Sequence, residues 1–132
     1  MMKTVVFLCP HNAAKSVIAK AYFDKLIDEK KLDFVATSSG TEPGKAVSPQ
    51  VVQLMNEENI DVSHHVPRSV TTEELQSAWK IVSLGCDVNK LGSFREKMEA
   101  WDDIPPPSHD LIGARDAIRC RIETLVEEIE PT

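Results

Sequence analysis

The chain has 132 residues, 42% of them hydrophobic and 27% charged, which fits one globular domain and excludes a low-complexity or mainly disordered chain. Lys plus Arg number 15 against 21 Asp plus Glu, a formal net charge of −6, so a nucleic-acid partner that needs several phosphates neutralised is not expected. No apolar run approaches the ~20 residues of a membrane span. The first run, Val5 to Leu8, stops at Cys9-Pro10-His11, far short of a secretion-signal core. A cytoplasmic location is therefore expected. The cysteines Cys9, Cys86 and Cys120 are odd in number and widely spread, so thiols are expected rather than a disulfide framework.

No repeat or linker interrupts the chain, and residues 1–132 are read as a single domain. Thr4 to Leu8 is a β-branched apolar run without alternation, the pattern of a strand buried on both faces. After a loop, Val17, Ile18, Ala21, Tyr22 and Leu26 recur at helical spacing and give one apolar face. Leu32 to Thr37 is a second strand, closed by Ser38-Ser39-Gly40. Ser48-Pro49 opens a helix, with a capping residue before proline at the first helical position, and this helix is expected to end near Asn59. Thr71 and Glu74 form a capping box for a short helix through Ala78. Lys80 to Leu84 is a third buried strand. A fourth is expected within Glu96 to Trp101, although Phe94, Met98 and Trp101 also suit a helix. Leu111, Ile118, Ile122, Leu125 and Ile129 mark the last helix. Alternation of strands and helices predicts a three-layer α/β/α domain around a four-stranded parallel sheet.

The loop after the first strand has a chemical reading. In such a fold, ligands bind beyond the carboxyl ends of the strands, where helix N-termini present unpaired N–H groups. A loop curled over such a terminus makes a nest of amides for an oxyanion. Cys9 opens this loop, Lys15 closes it, and Ser16 starts the helix. A cysteine in that positive field favours the thiolate and is nucleophilic. The same spacing also fits a small buried cysteine that merely ends a strand.

The segment Cys9 to Ser16, CPHNAAKS, resembles the C-x5-R-S/T phosphate loop of the low-molecular-weight protein tyrosine phosphatases and their relatives, the thiol-dependent arsenate reductases. The likeness extends along the chain. Ser38-Ser39-Gly40-Thr41-Glu42-Pro43, Val47-Ser48-Pro49 and Asn59-Ile60-Asp61-Val62 resemble the reductase branch's "SAG-x-x-P", "NP" and "GIDI". Ile81 to Cys86 is similar to its "VVTMGC", and Trp101-Asp102-Asp103-Ile104-Pro105 falls where the family has a Trp and an Asp-Pro.

That resemblance implies a phosphatase-like fold and a role for each matching residue. Cys9 would be the nucleophile toward a tetrahedral oxyanion. His11, Asn12, Ala13, Ala14, Lys15 and Ser16 would hold the anion, with Asn12 shaping the loop and Ser16 donating to the sulfur. Asp103, or its neighbour Asp102, would be the general acid. The family arginine is replaced by Lys15, a point charge in place of a bidentate fork. Cys86, at the end of the third strand, is the candidate resolving thiol for an adduct on Cys9, alongside the reading of a strand-end core residue. Residues 88–92 carry no further cysteine, so a three-cysteine relay is incomplete.

The implied activity is reduction of arsenate to arsenite with an external thiol reductant: thioredoxin, glutaredoxin or a low-molecular-weight thiol. No bound cofactor is implied. The alternatives are a phosphotyrosine or other phosphomonoester hydrolase, and a non-catalytic oxyanion-binding domain permitted by Lys15. Partners are then a small oxyanion substrate and a thiol redox protein, without nucleic acid or membrane. His64-His65 lacks further ligands at metal spacing, so no metal site is expected. Arg115, Arg119 and Arg121 are read as a solvated face pairing with Glu123, Glu127 and Glu128. Pro105-Pro106-Pro107 is read as a rigid loop carrying the aspartates over the site.

Overall fold

The computed structural model describes residues 2–86 and 88–130, and for residues 88–91 the backbone alone. The elements run β1 (Lys3–Cys9), α1 (Lys15–Lys30), β2 (Phe34–Gly40), α2 (Pro49–Asn56), α3 (Thr72–Ser77), β3 (Lys80–Ser83), a 3-10 stretch (Val88–Lys97), β4 (Met98–Ala100) and α4 (Leu111–Ile129). All strand pairs are parallel, in the order β2-β1-β3-β4. The expected three-layer architecture is therefore the observed one.

The unbroken apolar run of β1 reflects its central place. Val5, Phe7 and Cys9 face α1 and α4, where they join Ile18, Phe23, Ile118 and Ile122 in the larger core. Val6 and Leu8 face the opposite way, toward Leu75 of α3 and Ala78 just after it, with Ile81 and Cys86 beside them. Alternate residues of one strand thus feed two cores, which polar side chains could not do. No helix among the described residues is long and apolar enough to cross a membrane.

Several boundaries differ from the sequence expectation. β2 runs on through Ser38, Ser39 and Gly40, which pair with Phe7, Leu8 and Cys9. These serines are buried strand residues, not a closing turn. α2 ends at Asn56, three residues early, in a turn where Asn59 takes φ 62°. The fourth strand keeps only Met98–Ala100, since Phe94 lies in the 3-10 stretch before it. Thr71 caps α3 by accepting from the Glu74 amide. The Glu74 carboxylate, however, turns to Thr37 and Arg68 rather than back to Thr71.

The first crossover leaves β1 for β2 on one side, and the chain returns to β3 on the other. β1 is therefore the strand at which the order reverses, and its carboxyl end is the place for a ligand crevice. The β1–α1 loop and the end of β3 meet there.

Candidate active site

The β1–α1 loop is held open by its own carbonyls. Pro10, His11 and Ala13 accept from the amides of Glu42, Gly44 and Ser48, at 2.7, 2.9 and 3.0 Å, and Ala14 accepts from Ile18. No peptide here is cis, so each N–H points opposite to the carbonyl it follows. The amides of His11, Asn12, Ala14 and Lys15 consequently point away from those partners, into the curl of the loop. Asn12 has φ 51°, a left-handed conformation that asparagine tolerates and that bends successive amides into a nest. Gly40 makes the curl possible from below. A Cβ there would lie 2.7 Å from the Pro10 carbonyl oxygen and 3.0 Å from that of Cys9.

A chain of buried hydrogen bonds runs from the loop frame to the sulfur. Asn12 is fully buried. Its Oδ1 accepts from the Arg68 backbone amide at 3.1 Å and bonds His65 Nε2 at 2.9 Å. That orientation turns Nδ2 to Ser16 Oγ, which accepts at 2.8 Å. The Ser16 hydroxyl hydrogen is then free for Cys9 Sγ, 3.0 Å away, and the Ser16 amide also donates to the sulfur at 3.4 Å. A hydroxyl and a helix-start amide are thus aimed at one sulfur. His65 must carry its hydrogen on Nε2, because Oδ1 can only accept. Burial, followed by Lys20 and Arg68, holds the His65 pKa below its ordinary value.

Above the loop lies a cavity of about 510 Å³, lined by Cys9, Pro10, His11, Ala13, Ala14 and Lys15 and closed by Ser48, Gln50, Pro107, Ser108 and Leu111. Among the expected anion-holding residues, Asn12 and Ser16 lie outside this lining and brace the loop from beneath. Ser48, Gln50, Ser108 and Leu111 lack any sequence motif that marked them for the site. His65 was passed over as half of a His-His pair.

Lys15 extends across to β3. Its Nζ would be 2.9 Å from a Cβ on Gly85, whose φ is +92°. Next to Gly85 is Cys86, buried at 7% exposure, with its amide donating to Ser83 Oγ at 3.2 Å. Burial and then the charge of Cys9 push the Cys86 thiol up to about 11, while Thr41, Ser83 and Lys15 pull the other way. The two thiols thus share one electrostatic neighbourhood. Asp87, part of the turn expected after Cys86, lies outside the described residues. Cys120 is exposed on α4.

The general acid is expected at Asp103 or Asp102, and the structure places both apart from the cavity. Neither lines the cavity, and both are exposed. Asp103 accepts from Arg121 Nη2 at 2.7 Å. The proline loop does reach the site, through Pro107, but the aspartates stay outside. The arginines of α4 likewise pair across elements or with a neighbour: Arg115 with Asp116, Arg119 with Glu58 and Arg121 with Asp103. Their expected partners Glu123, Glu127 and Glu128 are not used by these three pairs. No group of three His, Cys, Asp or Glu side chains fit for a metal ion occurs among the described residues.

Comparison with known proteins agrees with this geometry. A Halobacterium salinarum protein provisionally named an arsenate reductase is 28% identical over 130 residues, covering 95% of this chain and 92% of that one. Arsenate reductase 2 of Staphylococcus epidermidis is 27% identical over 128 residues, covering 92% and 95%. A solved arsenate reductase in a phosphate-binding state superposes with a TM-score of 0.82 at 27% identity, covering 98% of this chain and 100% of the other. The family model for low molecular weight phosphotyrosine protein phosphatase matches residues 4–100. With its cysteine at the end of β1 and the loop wrapped over the start of α1, the chain belongs to the low molecular weight phosphotyrosine protein phosphatase family.

Proposed function

We propose that this chain is a cysteine-thiolate enzyme that reduces arsenate to arsenite with an external thiol. The observation that carries this reading is the second buried thiol, Cys86, close enough for the charge of Cys9 to act on it. A phosphatase needs only water to clear its cysteine adduct, whereas a reductase needs another sulfur. The Cys9 thiolate, held by Ser16, attacks arsenic in the amide nest, a sulfur–arsenic bond forms, and one oxygen leaves with a proton. Arsenic remains pentavalent in that step. Cys86, as thiolate, then attacks the Cys9 sulfur. A disulfide forms, the sulfur–arsenic bond breaks, and its electron pair stays on arsenic, which becomes trivalent. The two thiols have supplied both electrons. A thioredoxin, a glutaredoxin or a low-molecular-weight thiol reopens the disulfide by exchange, as a reducing cytoplasm would allow.

Lys15 supplies positive charge to both steps, first beside the anion and then beside Cys86. The curated arsenate reductases that align along nearly the whole chain support the substrate. A phosphomonoester hydrolase is the second reading, favoured by the size of the cavity: about 510 Å³ lies within the roughly 300–1,000 Å³ of small-molecule sites.

The test is arsenite production with thiol donors and aryl phosphate hydrolysis, measured on one preparation of the protein and of Cys86→Ser. Arsenate reduction should be lost in Cys86→Ser, while arsenate still protects Cys9 from alkylation. Undiminished reduction by Cys86→Ser would overturn the two-thiol route. Hydrolysis without any reduction would select the second reading.

A further inference from the structure

Cleaving an arsenic–oxygen or phosphorus–oxygen bond strands negative charge on the departing oxygen, and a positioned proton donor relieves it. Among the described residues, no carboxylate lines the cavity over Cys9. Asp103 is held by Arg121 outside it, and Asp110, at the start of α4, gives its carboxylate to the Gly113 amide as a helix cap. Among the described residues, the titratable side chains that line the cavity are Cys9, Lys15 and His11. Cys9 is the nucleophile, and Lys15 directs its ammonium to Gly85 at the end of β3.

His11 is left, and its geometry suits the task. Its Nδ1 lies 3.0 Å from the carbonyl oxygen of Glu42. A carbonyl can only accept, so Nδ1 keeps its hydrogen and Nε2 is the nitrogen that gains or loses a proton. The imidazole sits two residues beyond the nucleophile and rests over the 42–44 segment, where the Gly44 amide bonds the His11 carbonyl. We infer that His11 is the proton donor to the leaving oxygen in this chain.

This assignment rests on the oxyanion-site reading above. The thiolate pair of Cys9 forms the new sulfur bond, the broken bond leaves its pair on oxygen, and that oxygen takes the Nε2 proton. Solvent then reprotonates the imidazole. The charged groups sharing the cavity with it are Cys9 and Lys15. The α2 side contributes neutral Ser48 and Gln50, the α4 side neutral Pro107, Ser108 and Leu111, and the Glu42 side chain is exposed.

His11→Gln separates proton donation from binding. Turnover of phenyl phosphate, a poor leaving group, and of arsenate with thiol donor should fall by about 10²–10⁴. Turnover of dinitrophenyl phosphate, whose leaving group needs no proton, should fall far less. Phosphate protection of Cys9 against iodoacetamide should be the same in both proteins. An equal loss on both aryl phosphates, or no loss at all, overturns the assignment while the anion site stands. Absence of phosphate protection in the unsubstituted protein overturns the oxyanion site itself, and His11 with it.

Discussion

Replacing Asn12 by Ala probes the frame that joins fold and chemistry. The side chain satisfies three groups: Ser16 Oγ at 2.8 Å, His65 Nε2 at 2.9 Å and the Arg68 amide at 3.1 Å. Alanine strands two donors, the Arg68 N–H and the half-buried His65 Nε2–H, each worth about 1–3 kcal/mol when unpaired. The left-handed backbone, φ 51°, adds about 1 kcal/mol once asparagine's local hydrogen bonding is gone. With a discount for water reaching His65, the loss should be about 3–5 kcal/mol, a large part of the roughly 5–15 kcal/mol of an ordinary domain. Urea unfolding by linear extrapolation measures it. Asn12→Asp separates the two roles, since it keeps an acceptor for His65 and Arg68 but draws the Ser16 hydroxyl hydrogen away from Cys9. Iodoacetamide should then label Cys9 more slowly in a protein that still folds. A loss below about 1 kcal/mol for the alanine variant, or unaltered Cys9 labelling in Asn12→Asp, would refute the frame.

Gly40→Ala should lower stability and abolish anion protection of Cys9, because the new Cβ meets the Pro10 and Cys9 carbonyl oxygens at 2.7 and 3.0 Å and backbone must move. Protection equal to wild type would refute this. Alkylation of Cys86 should accelerate with pH until about 11, which mass spectrometry of labelled peptides can follow. Its folded value is raised above the ordinary 9.0, so the neutral thiol's contribution to stability is complete below pH 9 and is lost toward pH 11. A labelling rate already at its plateau by pH 9 would contradict the burial. Lys15→Arg should reduce arsenate turnover, because a planar fork must replace an ammonium that now rests against Gly85. A large rise in turnover would show a loop still shaped for arginine.

The parts of the fold legible in the sequence were those with dense local patterning. β1 declared itself because five successive residues, Val5 to Cys9, are all buried, and α4 because its apolar stripe recurs without interruption. The end of β2 was hidden by composition. Ser38 and Ser39 look like turn residues, and only their parallel pairing with Phe7 and Leu8 reveals buried strand positions. The nucleophile and its loop were legible because Cys9 to Ser16 is contiguous. The partners of Asn12 were not, since His65 and Arg68 arrive from 53 and 56 residues away. Asp103 shows the same limit in reverse: proximity to the prolines suggests the site, but Arg121, 18 residues later, takes the carboxylate.

The departures from the family loop fall on one side of a physical division. Every donor aimed at the sulfur is present: the Ser16 hydroxyl, the Ser16 amide and the buried Asn12 behind them. What differs is what faces the ligand, where Lys15 stands for arginine and His11 lines a cavity with no carboxylate among the described residues. Random loss of function would not respect that division. The Ser16 hydroxyl directed at sulfur contributes only about 1 kcal/mol to stability as an ordinary hydrogen bond, so folding alone exerts little demand for it. Thiolate chemistry does. A lysine whose ammonium lies beside Gly85, the neighbour of the second thiol, rather than a fork that clasps the anion, fits a site in which sulfur exchange follows anion capture. That sequence of demands distinguishes reduction from hydrolysis, because hydrolysis needs no charge beside Cys86.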